Sequence, residues 1–211
     1  MDNPIILTAE IIGTVAFASG AMLAIRKNMD LFGVLVLGLC VAVGGGILRD
    51  IILGQTPPGA FRDPVYAMVA MGTSFLLFVV VYLKKEILNS KYLTLYEQVM
   101  NYCDAVGLGI FTVVGVYTAH SLDYHNKFFL IFLGMLTGVG GGMIRDVLAD
   151  SMPFILRKHV YAGALVCVNL IDQNLYLSLA AGTTVIIVIR VLATKFCWDL
   201  PRPLPKEKKE G

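Results

Sequence analysis

The chain carries two copies of one charged motif inside apolar sequence, Val43-Gly44-Gly45-Gly46-Ile47-Leu48-Arg49-Asp50 and Val139-Gly140-Gly141-Gly142-Met143-Ile144-Arg145-Asp146. Each copy sets three consecutive glycines ahead of two apolar residues and an Arg-Asp pair. An arginine or aspartate at the bilayer centre costs about 2.5–3.5 kcal/mol on insertion scales. Each glycine weakens a helix by about 1 kcal/mol relative to alanine. Costs of this kind, repeated in matching places, indicate a duplicated unit that uses them. The chemistry open to these residues is electrostatic. Arg49 and Arg145 either gate the two mouths of an ion pathway, or reach the headgroups and pair with Asp50 and Asp146. Glu10 and Asp104 add a carboxylate to each half, able to attract cations or to pair with the arginines.

Other chemistries find less support. No pair among Cys40, Cys103, Cys167 and Cys197 has metal-ligand spacing, and the four read as small packing residues. His120, His125 and His159 fall near loops. The glycine runs lack the Lys-Ser/Thr of a phosphate loop and follow no strand, so nucleotide binding and enzymatic roles are disfavoured and no cofactor is expected. A formal net charge of +2 is too small to suggest nucleic acid.

The elements that hold these residues are membrane spans. The 211 residues are 57% hydrophobic and 15% charged, with a mean hydropathy of +0.75. Apolar stretches near span length recur throughout, which predicts an all-α, multi-span membrane protein. Seven spans are expected: Ile5–Ile25, Leu31–Leu53, Val65–Leu83, Val99–Thr118, Phe128–Leu148, Val160–Leu175 and Tyr176–Trp198. No cleavable signal peptide and no separate soluble domain are expected. With the N-terminus outside, twelve basic residues fall on the cytoplasmic side, and only Arg62 and Lys127 lie in outside loops. That bias predicts N-terminus out and C-terminus in, with the basic tail as a cytoplasmic anchor at the membrane lipid.

The duplication extends beyond the motif. Gly38 pairs with Gly134 and Pro57 with Pro153 at an offset of 96, while Glu10, Gly13 and Phe17 pair with Asp104, Gly107 and Phe111 at 94. Val65-Tyr66-Ala67 pairs with Val160-Tyr161-Ala162. The expected layout is repeat one over 5–83, a linker over 84–98, repeat two over 99–175, a seventh helix over 176–198 and a tail over 199–211. A three-helix repeat re-enters the membrane from the opposite side, and inverted repeats place a pathway at their interface.

No proline lies inside a span, so glycine must supply any bend. Three glycines in a row predict a kink or unwinding in spans two and five, freeing backbone carbonyls as ligands for a monovalent cation. On this reading Gly44, Gly45, Gly46, Gly140, Gly141 and Gly142 form the helix breaks and line the pathway. The competing reading is close helix packing, which Gly134-x-x-x-Gly138 fits well. Counting about 1.5 Å per residue from Leu31 puts Arg49 about 27 Å along its helix, near the outer interface, with Arg145 near the inner one. Arg190 reads as an internal partner or an interfacial anchor. Tyr66 and Tyr161 read as belt residues or as caps on the two mouths.

The doubled glycine-Arg-Asp motif, the prolines that follow, and the Asp63-Pro64-Val65-Tyr66 and His159-Val160-Tyr161 starts resemble the prokaryotic branch of the TRIC (trimeric intracellular cation) channel family. That branch overlaps a set of bacterial membrane proteins described as glycine transporters. The resemblance covers about Ile5 to Trp198. It implies a seven-helix protomer, a homotrimer in the cell membrane, and a potassium-preferring pore through each protomer lined by the glycine breaks. The eukaryotic branch has a Lys-Glu-Val signature where this chain has Gly46-Ile47-Leu48-Arg49-Asp50, so regulation known there does not carry over. The alternative class is a secondary transporter of a small zwitterion such as glycine. That activity needs a site for both an amine and a carboxylate, and the sequence shows no single cluster holding both charges.

Overall fold

The computed structural model describes residues 4–18, 20–83, 90–151, 161–171 and 174–196. Their regular structure is helical: α1 (Pro4–Ala18), α2 (Ala21–Arg26), α3 (Leu31–Ile52), α4 (Gly59–Arg62), α5 (Pro64–Leu83), α6 (Ser90–His120), α7 (Lys127–Leu148), α8 (Tyr161–Leu170) and α9 (Leu175–Lys195). Among the described residues, six stretches are long and apolar enough to cross a membrane: Pro4–Arg26, Leu31–Ile52, Pro64–Leu83, Gln98–His120, Lys127–Leu148 and Tyr176–Ala193. The chain is an all-helical membrane protein. The expected sixth span is represented by α8, and the rest of its turn, Asp172 and Gln173, lies outside the described residues along with Pro153, His159, Val160, Cys197, Trp198 and the basic tail.

Helices α3 and α7 are built alike, residue for residue. Asp30 caps α3 by accepting from the Gly33 amide at 2.8 Å. Asn126, 96 residues on, caps α7 by accepting from the Phe128 and Phe129 amides. Such caps satisfy amides that would otherwise lack partners at the helix start. Both helices end the same way. The Leu53 and Gln55 amides donate to the Arg49 and Asp50 carbonyls, and the Ala149 and Ser151 amides donate to those of Arg145 and Asp146. The residue that turns the chain is left-handed in each, Gly54 at φ +69° and Asp150 at φ +47°.

The glycine triplets do not break their helices. Both α3 and α7 run uninterrupted through Gly44–Gly46 and Gly140–Gly142, which corrects the expectation of glycine-broken helices two and five. The physical reason is contact between the two helices. A Cβ on Gly45 would collide with the Thr137 carbonyl, and one on Gly141 would collide with the Val41 carbonyl. Thr137 and Val41 are again 96 apart. A Cβ on Gly140 would lie 3.1 Å from the Gly45 Cα. Bare glycine faces let the backbones touch, and the packing gained offsets the low helix propensity. An interruption occurs in the first span instead, where α1 gives way to α2. There the Gly20 amide donates to the Phe17 carbonyl at 2.8 Å, a tighter turn than the α-helical pattern.

Other paired residues pack about the same crossing. Phe17 of α1 and Phe111 of α6 stack with ring centroids 5.3 Å apart. Each lies against the other half's glycine: Gly107 beside Phe17 and Gly13 beside Phe111. Gly134 and Gly138 pack on α6, against Thr112, Leu108 and Val116, so this small-residue stripe serves a contact within the chain. Buried hydroxyls are satisfied locally, as with Thr112 donating to the Leu108 carbonyl and Thr137 to that of Leu133. Without water in the bilayer core, such pairing is required.

Candidate functional site

The α3–α7 crossing sets the positions of both arginines. Along α3, Val41 and Gly45 meet Gly141 and Thr137 of α7, so contacts descend one helix as they climb the other. The helices cross antiparallel. Arg49 lies one turn beyond Gly45 and Arg145 one turn beyond Gly141, each about 6 Å along its own helix from the crossing. The two arginines therefore sit on opposite sides of it.

Each arginine is buried among carboxylates, and the two sets match. Arg49 donates through Nε to Asp50 Oδ1 at 2.8 Å and through Nη1 to Glu10 Oε1 at 3.1 Å. Arg145 donates through Nε to Asp146 Oδ1 at 2.8 Å and through Nη1 to Asp104 Oδ1 at 2.7 Å. Arg49 and Arg145 thus pair with Asp50 and Asp146, and Glu10 and Asp104 each join one pair. A guanidinium suits this task because its planar fork serves two carboxylates at once. The stem of Arg145 passes Gly20, whose Cβ would come within 3.2 Å of its Cδ. The interruption between α1 and α2 thus coincides with the place where this arginine passes.

The sets differ in the third partner. In the first, the Tyr66 hydroxyl donates to Glu10 Oε2 at 2.6 Å, and the Gly59 amide donates to Asp50 Oδ2 at 2.7 Å. In the second, Arg190 of α9 donates through Nη2 to Asp104 Oδ2 at 2.9 Å. Arg190 is thus an internal partner. Tyr161, the sequence counterpart of Tyr66, begins α8, and its side chain lies outside the described residues.

The first set faces a cavity of about 510 Å³ whose wall includes Glu10, Thr14, Gly46, Arg49, Asp50, Arg62, Asp63, Tyr66 and Phe111. Three carboxylates against two guanidiniums leave this wall one net negative charge. Glu10 is the most open of the ion-paired side chains, 16% exposed against 6% for Asp104. The cavity brings Glu10 and Arg49 together, a juxtaposition of cation- and anion-recognising groups. Of the six motif glycines, Gly46 borders this cavity. Gly44, Gly45, Gly140 and Gly141 lie in the helix crossing, and Gly142 is buried. With α3 and α7 unbroken, the expectation of carbonyls freed at the triplets does not hold. Among the described residues no group of His, Cys, Asp and Glu is arranged to hold a metal ion.

An all-helical membrane core with two matched arginine–carboxylate sets astride a glycine crossing defines the class, and comparison with known proteins gives the family. A family model described as "Glycine transporter" matches residues 7–82 and 101–191. The chain belongs to this family. It is 37% identical over 201 residues to the UPF0126 inner membrane protein YadS of Escherichia coli, covering 91% of this chain and 93% of that one. It is 40% identical over 158 residues to a UPF0126 membrane protein of Deinococcus radiodurans, covering 74% and 69%. Among solved structures, one concerned with conductance through TRIC cation channels matches 95% of this chain and 98% of its own, at 34% identity and a TM-score of 0.79. The TRIC trimeric intracellular cation channel orthologue from Rhodobacter sphaeroides matches 93% and 100%, at 29% identity and a TM-score of 0.81.

Proposed function

We propose that the chain is a monovalent cation channel, preferring potassium, with a pathway through each protomer of a homotrimer in the inner (cell) membrane. The observation that carries this reading is the pair of matched charge sets on opposite sides of the α3–α7 crossing, in a chain similar over nearly its whole length to TRIC cation channels. The pathway runs between repeat one (5–83) and an inverted repeat two (99–175), joined by the linker 84–98. Gly46 borders this pathway at the Glu10 cavity, and the two charge sets act as its gates. The seventh helix (176–198) completes the protomer, and the basic tail (199–211) lies in the cytoplasm, with the N-terminus outside. The net negative charge at the cavity favours cations over chloride. The protein works without a cofactor, and its chemistry is not enzymatic.

The test is a reversal-potential measurement in bilayers holding the purified protein under a potassium chloride gradient, with the particle mass measured in mild detergent. A reversal near the potassium equilibrium potential and a mass of about three protomers are expected; closed cyclic symmetry calls for a defined count, and the likeness to trimeric TRIC channels sets it at three. A reversal near the chloride potential contradicts the reading. A second reading has one observation in its favour: Glu10 and Arg49 adjoin in the cavity, as an amine-and-carboxylate ligand requires. That reading is a secondary transporter of a small zwitterion such as glycine.

A further inference from the structure

Among the described residues the two charge sets match in their arginine and both carboxylates, yet differ by one whole charge. Where Glu10 accepts its second hydrogen bond from the neutral hydroxyl of Tyr66, Asp104 accepts from the guanidinium of Arg190. The first set thus opposes one arginine to two carboxylates, and the second opposes two arginines to two carboxylates. Arg190 comes from α9, which lies outside the duplicated part of the sequence, so the duplication itself does not supply this charge. Its guanidinium is 4% exposed and anchored to a carboxylate that is 6% exposed, which holds the added charge in place.

We propose that Arg190 is a permeation-determining residue that makes the pathway electrically one-sided. Cations enter more readily from the side of the Glu10 cavity than from the side of Asp104. This inference rests on the channel reading. A fixed unit charge in a poorly screened site acts strongly on a permeating ion. Entry past Arg190 is therefore slower, and current–voltage curves bend even when both sides hold the same solution. On the other side the neutral Tyr66 hydroxyl takes the place that the Arg190 guanidinium has at Asp104.

The experiment records single-channel currents in symmetric potassium chloride and takes the ratio of the larger to the smaller current at equal and opposite voltages. This ratio does not depend on how each channel is oriented. The wild type is expected to give a ratio of about two to ten, as one poorly screened charge implies. Arg190→Gln should bring the ratio close to one while raising the smaller current. Arg190→Lys should keep the wild-type ratio. Tyr66→Lys places a cation beside Glu10, and should also bring the ratio close to one by lowering the larger current. Tyr66→Lys decides the matter if Arg190→Gln does not fold, because the tyrosine borders the cavity and a new lysine there meets a carboxylate. A wild-type ratio of one, or a ratio unchanged in Tyr66→Lys or in a folded Arg190→Gln, overturns the inference and leaves the channel reading standing. A wild type that carries no potassium current overturns both.

Discussion

The two halves of the protein agree where backbones touch and part where a pathway would open. At the α3–α7 crossing matched glycines meet matched carbonyls, Gly45 on Thr137 and Gly141 on Val41. Caps, helix lengths and left-handed turns repeat at the same spacing. At the charge sets, by contrast, Glu10 faces a cavity with Tyr66 for a partner, while Asp104 is held between Arg145 and Arg190. Packing without a hydrophobic driving force depends on close backbone fit, which tolerates little change. The outer partners of a charge set have no such constraint, so the halves could diverge there and leave the core alike.

The largest effects should come from the region where the halves agree. Gly45→Leu and Gly141→Leu each drive a side chain into the facing helix backbone, and both should abolish the folded protein, as seen by loss of the monodisperse peak in detergent chromatography. The two variants should be equally damaged. A Gly45→Leu protein that folds normally and only loses flux would show that the crossing is looser than described.

Next come the carboxylates, where the halves should differ. Asp104→Asn strips a partner from two buried arginines, and should lower stability by about 3–5 kcal/mol, the range for breaking a buried ion pair. Glu10→Gln strips one arginine that keeps Asp50 and faces a cavity, and should cost about 1–3 kcal/mol, nearer a hydrogen bond to a charged group. Thermal unfolding in detergent orders the two. The reverse order would mean that the cavity side is the more tightly enclosed.

Much of this was legible in the sequence, for identifiable reasons. The motif spacing exposed the duplication because both copies keep the same residues at the same offset, and the carboxylates Glu10 and Asp104 came with it. The continuity of α3 and α7 was not legible. Three glycines have poor helix propensity, and only the facing helix, remote in sequence, explains why they stay helical. The pairing of Arg190 with Asp104 was equally hidden, because the two lie 86 residues apart and α9 has no repeat partner to align with. The interruption at Gly20 gave no signal, since its turn coincides with the passage of Arg145 from the other half.

A smaller effect should separate the sets further. Tyr66→Phe removes one hydrogen bond from Glu10 and should cost about 1–2 kcal/mol, since the acceptor is charged. The same preparation should keep its arginine–carboxylate contacts and its oligomeric mass. A loss as large as that of Asp104→Asn would indicate that Tyr66 holds the first set together, rather than finishing it.

The central claim is that the matched charge sets belong to a conducting pathway for cations. The most direct measurement is potassium flux and glycine uptake, side by side, in liposomes holding the purified protein. Potassium flux that dissipates an imposed gradient is expected, with no saturable glycine uptake. Saturable glycine uptake without ion conductance would contradict it, and would make the Glu10–Arg49 cavity a carrier's binding site.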